Sequence, residues 1–141
     1  MSQIFVNIPT ADLDRAKTFY TALGAEINPL FTNDDAACLV WDENIFVMVL
    51  TQDYFRTFTT KQLADTKTTA AVLVALSRDS REHVDQTLEA ALAAGGHEHR
   101  DPTDYGFMYS RSVEDPDGTI LEFVWMDPAA AVGGPEAGGA S

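Results

Sequence analysis

The chain has 141 residues, 45% of them hydrophobic and 22% charged, a length and balance that suit one domain with a real hydrophobic core. Its net charge of −13 repels phosphate backbones and anionic bilayers, which argues against nucleic-acid and membrane partners. The same charge would draw a cationic ligand, although an excess of surface acids also serves simply to keep a protein in solution.

From the N-terminus, Met1 to Pro9 show no basic start followed by an apolar run, so no secretory signal is expected. Ile4, Val6 and Ile8 alternate with Phe5 and Asn7, the period of a short strand that Pro9 ends. Thr10 or Asp12 can cap a helix whose face is Leu13, Ala16, Phe19, Tyr20 and Leu23, stopped by Gly24. Three strand-like runs follow: Ala25 to Phe31, Ala36 to Trp41 and Ile45 to Thr51, with a hairpin turn at Asp42-Glu43-Asn44. Cys38, in the second run, is the one cysteine. It excludes an internal disulfide, reads as a small buried hydrophobe and agrees with a cytoplasmic setting.

Residues 53–68 read as a connector with aromatics (Tyr54, Phe55, Phe58) and one short helix. The pattern then repeats. Ala71 to Leu76 is an apolar run long enough for a buried strand. Ser80 caps a helix through Val84, Leu88, Ala91 and Leu92, closed by Gly95 and Gly96. His97 to Arg100 and Phe107 to Val113 read as strands, Asp115-Pro116-Asp117-Gly118 as a turn, and Ile120 to Met126 as the closing strand. No apolar stretch reaches the ~20 residues of a membrane helix. The Ala- and Gly-rich stretch 129–141 reads as a flexible tail.

The expected architecture is therefore α+β, a single domain over 1–128. It is built from two βαβββ modules (about 1–52 and about 69–128) whose strands form a curved mixed sheet around a cleft. An ordinary α+β sandwich with a filled core is the simpler alternative.

The order and spacing of these segments resemble the vicinal oxygen chelate superfamily, which includes glyoxalase I, extradiol dioxygenases and bleomycin-resistance proteins. The matching residues are Phe5-Val6-Asn7-Ile8-Pro9 into Ala11-Asp12-Leu13-Asp14-Arg15-Ala16, Phe19-Tyr20, Leu23-Gly24, Asp79-Ser80-Arg81-Glu82, Ala93-Ala94-Gly95-Gly96, Tyr105-Gly106-Phe107-Met108, and Glu114-Asp115-Pro116-Asp117-Gly118 through Glu122 to Trp125-Met126-Asp127. Within it the chain looks most like the lactoylglutathione lyase-related proteins. The resemblance implies metal ligands on the first and last strand of each module. Here those positions fall at Phe5, at Met48 or Val49, near Leu73 and at Glu122. Only Glu122 is an ordinary ligand for a divalent ion, so no metal and no other cofactor is assigned.

Glu122 then has two readings: a general acid or base (or ligand anchor) in an apolar cleft, or a carboxylate paired with Arg111 or a backbone group. Arg111 is a candidate to grip a ligand carboxylate, or to pair with Glu122 or Glu114. Phe5, Trp41, Met48, Leu73, Tyr105, Met108 and Trp125 are candidate cleft-lining residues, although core packing would use the same side chains. His97 and His99 share a strand face, which fits half a metal site or a solvated strand start. The expected function is small-molecule binding by a homodimer. The competing expectation is a lyase, isomerase or dioxygenase that uses Glu122 with unorthodox metal ligands or none.

Overall fold

The computed structural model describes residues 1–134. The first module runs β1 (Ile4–Thr10), α1 (Leu13–Ala22), β2 (Glu26–Ile27), β3 (Ala36–Asp42) and β4 (Ile45–Thr51). A short helix, α2 (Gln52–Arg56), opens the connector. The second module runs β5 (Val74–Ser77), α3 (Arg81–Ala93), β6 (His97–Asp104), β7 (Met108–Glu114) and β8 (Ile120–Met126), and α4 (Pro128–Gly133) follows it.

Each module forms one four-stranded mixed sheet, in the orders β1-β4-β3-β2 and β5-β8-β7-β6. In both, the first and last strands run parallel and the others antiparallel. The repeat read from the sequence is thus a repeat of topology. No ladder joins β1 to β5, so the two sheets meet without merging.

Period and punctuation explain the elements. In β1, Ile8 and Thr10 are buried while Phe5 and Asn7 are exposed, the alternation of a strand with one covered face. The Asp12 carboxylate accepts from the Arg15 amide at 3.0 Å and starts α1. The Ser80 hydroxyl does the same for α3 with the His83 amide, also at 3.0 Å. The buried stripes Ala16, Phe19, Tyr20 and Val84, Leu88, Ala91 face the sheets and join one core with Leu39, Val47, Val113 and Phe123. Each fully buried aliphatic or aromatic side chain contributes roughly 1.5–3 kcal/mol.

Four segments differ from expectation. The strand expected over Ala25 to Phe31 is only Glu26–Ile27, because Pro29 has no N–H for a ladder and begins a 3-10 turn capped by Asn28. The strand expected from Ala71 starts at Val74. Conversely, β6 extends past Arg100 to Asp104, with its register shifting twice on the way, the second time across Pro102. The expected tail begins as α4: Asp127 accepts from the Ala129 amide and Pro128 occupies the first turn, a good helix start before three alanines. Residues 135–141 of that stretch lie outside the described residues.

The β7–β8 turn ties the modules together. The Tyr20 hydroxyl donates to Asp115 at 2.6 Å, and Asp115 also accepts from the amides of Asp117 and Thr119. Asp117 accepts from the Thr10 hydroxyl at 2.6 Å, the Ala11 amide at 2.9 Å and the Arg15 guanidinium at 3.1 Å. Burial pushes the Asp115 carboxyl up to about 6 against the pull of its hydrogen bonds. Burial, followed by the charge of Asp115, raises the Tyr20 phenol well above its ordinary range.

Candidate functional site

The residues singled out from the sequence occupy two sides of the sheets. On the side away from α1 and α3, Phe5 stacks on Phe46 with ring centroids 4.7 Å apart. Met48 shares that face, paired with Asn7 on one side and Cys38 on the other. Glu122 and Met108 lie on the corresponding face of the second sheet, opposite Ser112 and Met126 respectively. Leu73, half exposed, immediately precedes β5, whose Ala75 neighbours Glu122. The structure therefore divides these residues between two sheets, Phe5 and Met48 on one and Leu73, Met108 and Glu122 on the other.

Glu122 does not stand alone on that face. Its Oε1 accepts from Arg100 Nη2 at 2.6 Å and from the Ser112 hydroxyl at 3.1 Å. Arg100 also donates to Thr103 at 2.6 Å. The expected partner, Arg111, is elsewhere. Alternation along β7 turns Ser112 toward Glu122 and Arg111 toward α3. Arg111 bonds Glu98 at 3.0 Å through two nitrogens, Asp85 at 3.0 Å and Glu89 at 3.3 Å. Its pKa is raised, first by the bonds to Glu98. With three carboxylates on one guanidinium, Arg111 does not reach a cleft, and it pairs with neither Glu122 nor Glu114.

The tryptophans are also on the helix side. The Arg78 guanidinium lies 5.1 Å from the ring centroids of both Trp41 and Phe123, and Arg81 lies 5.2 Å from Tyr109 and 5.1 Å from Trp125. Trp41 and Trp125 thus clamp arginines beside the core rather than line an opening. Tyr105 is exposed in the β6–β7 hairpin, stacked on Phe107, and borders an open hollow with Arg81, Asp104 and Gly106. The bidentate bond from Arg81 holds the Asp104 carboxyl down to about 2. His99 Nδ1 lies 3.4 Å from Glu114. Among the described residues, no three His, Cys, Asp or Glu side chains gather closely enough to hold a metal ion.

A different place in the molecule has the form of a ligand site. A cavity of about 420 Å³ lies between β1 and the chain leading into β5, within the ~300–1,000 Å³ usual for small-molecule sites. Val6, Ile8 and Pro9 form one wall, Val74 and Ile120 another, and the connector with Phe55 and Leu63 closes it. None of the candidate site residues named from the sequence lines it. The available signal was the apolar character of Phe55 and Leu63 in the connector and of Ala70-Ala71-Val72 just after it. The turn that ties the modules also fixes this wall: Thr66 donates its hydroxyl hydrogen to the Asp117 carbonyl. Gly118, at φ +91°, packs so closely that a Cβ would lie 2.5 Å from the Thr66 carbonyl oxygen.

Comparison with known proteins agrees with this architecture. Residues 3–41 match the family model described as bleomycin resistance protein-like N-terminal. A hypothetical protein from S. aureus superposes with a TM-score of 0.75 at 23% identity, covering 89% of this chain and 94% of the other. A glyoxalase/bleomycin resistance protein/dioxygenase family enzyme from Burkholderia phytofirmans PsJN gives a TM-score of 0.74 at 17% identity, covering 89% and 99%. A bleomycin resistance determinant encoded on the transposon Tn5 gives 0.62 at 18% identity, covering 90% and 99%. No curated protein matches in sequence. The chain has the glyoxalase/bleomycin-resistance/dioxygenase fold.

Proposed function

We propose that this chain is a vicinal-oxygen-chelate protein that binds a small molecule between its modules and does not use a divalent ion held in the superfamily's manner. The observation that carries the reading is the cavity of about 420 Å³ between β1 and the approach to β5, with mostly apolar walls. The donor chemistry supports the second half. The positions where the superfamily's metalloenzymes hold an ion carry Phe5, Met48 or Val49, Leu73 and Glu122, and this set does not fit a divalent cation. The pairing of Glu122 with Arg100 speaks for a held carboxylate rather than a free acid or base. On residue pattern we assign the chain to the lactoylglutathione lyase-related proteins. The lone, buried Cys38 fits a cytoplasmic setting.

Toluene, a neutral apolar probe, tests the site. It should shift the methyl resonances of Val6, Ile8, Val74 and Ile120, and Ala71→Trp, which fills the cavity from its wall, should abolish those shifts. Shifts confined instead to Met48, Met108 and Met126 would move the ligand to the sheet faces and overturn this placement.

A further inference from the structure

The geometry points to an anionic amphiphile, an apolar body ending in a carboxylate or similar monoanion, as the class of molecule this cavity takes. The inference rests on the cavity being the ligand site and adds the ligand's charge. The interior walls are hydrocarbon, from Val6, Ile8, Leu63, Val74 and Ile120. Asn7, Gln62 and several threonines add neutral polar atoms. Among the described residues a single charged side chain lines the cavity, and it is Lys61.

Lys61 is one of three cationic residues, with Lys67 and Arg78, that form no ion pair among the described residues. Acidic residues number 22 against nine basic ones, and most of the cations are taken up by carboxylates. Arg15, Lys17, Arg56, Arg81, Arg100 and Arg111 are all ion-paired. Among the described residues Lys61 has no carboxylate within ion-pair distance, and no acidic residue lines the cavity. Its own residue is exposed, which leaves the ammonium hydrated while the cavity behind it offers apolar surface. A ligand that buries a hydrocarbon body and keeps its charged end in water matches that division. Local charge here opposes the charge of the whole molecule. The net −13 favours cationic ligands at long range, yet salt screens that field beyond about 10 Å at 0.1 M, and at contact distance Lys61 decides.

Calorimetric titration with decanoate, 1-decanol and decylammonium separates these contributions, because the three share one hydrocarbon chain. In 0.1 M salt the wild-type chain should bind decanoate one to one, about five-fold more tightly than decanol, the scale of an exposed ion pair, with decylammonium weakest. Lys61→Met should bring decanoate down to decanol, and Lys61→Glu should make decylammonium the best of the three. Lys61 is exposed, so neither substitution touches the core. Equal affinity for decanoate and decanol, or no change on Lys61→Glu, overturns the anionic class and leaves the cavity as a ligand site. Failure of all three probes to bind one to one overturns the cavity itself.

Discussion

Asp115 shows how a single buried carboxyl is divided between stability and connection. It is buried between the modules and raised to about 6 from 3.8, with Tyr20 and Asp117 as its titratable neighbours. A carboxyl whose folded pKa exceeds its unfolded one holds its proton more tightly in the fold. Its stabilising share is complete below about pH 4 and is lost as pH rises through 6. The displacement is about two pH units at about 1.4 kcal/mol each, so the loss approaches about 3 kcal/mol at most. Asp115→Asn keeps a hydrogen-bonding oxygen but cannot titrate. Urea denaturation between pH 4 and pH 7 should therefore give a flatter stability profile for this variant than for the wild type. Parallel profiles would show that Asp115 titrates as it does in the unfolded chain.

At the scale of elements, the β7–β8 turn does more than reverse the chain. Gly118 combines a φ of +91° with a backbone oxygen 2.5 Å from where a Cβ would sit. Gly118→Ala must therefore strain the turn or push the connector outward, at a cost on the order of 2 kcal/mol. A shift in urea midpoint would report it, and an unchanged midpoint would mean that the connector yields freely. The same turn shows which features the sequence reveals. Asp115 to Gly118 reads at once as a turn because its residues are contiguous, and the caps Asp12 and Ser80 and the runs Ile45 to Thr51 and Ile120 to Met126 are legible for the same reason. The side chains' partners across the fold are not. Arg111 and Ser112 differ by one position, and only the observed register says which one meets Glu122. Trp41 sits at the register shift between Val40 and Asp42, where simple alternation stops assigning faces. The cavity is the least legible feature, because its walls come from β1, the connector and the β7–β8 turn, which share no period.

For the whole molecule, the exposed apolar side chains matter most. Phe5 and Leu73 are 50% and 53% exposed and Met126 is 41% exposed, and none of them is covered by α1 or α3. Apolar surface left open in this way commonly marks an interface between copies, and we propose a homodimer. Light scattering on the eluted peak should give twice the chain mass, and Phe5→Asp combined with Leu73→Asp should bring it to one. A wild-type monomer at micromolar concentration would refute the dimer. No helix among the described residues is long and apolar enough to cross a membrane.

The linker has one more consequence. The stretch that covalently joins the two repeats is also a wall of the cavity, so the cavity's size depends on the length of a loop as well as on the two sheets. Loops accept inserted and deleted residues far more readily than strands do. A variant that keeps both sheets but lengthens or trims this one segment should have a larger or smaller cavity with its core packing unchanged.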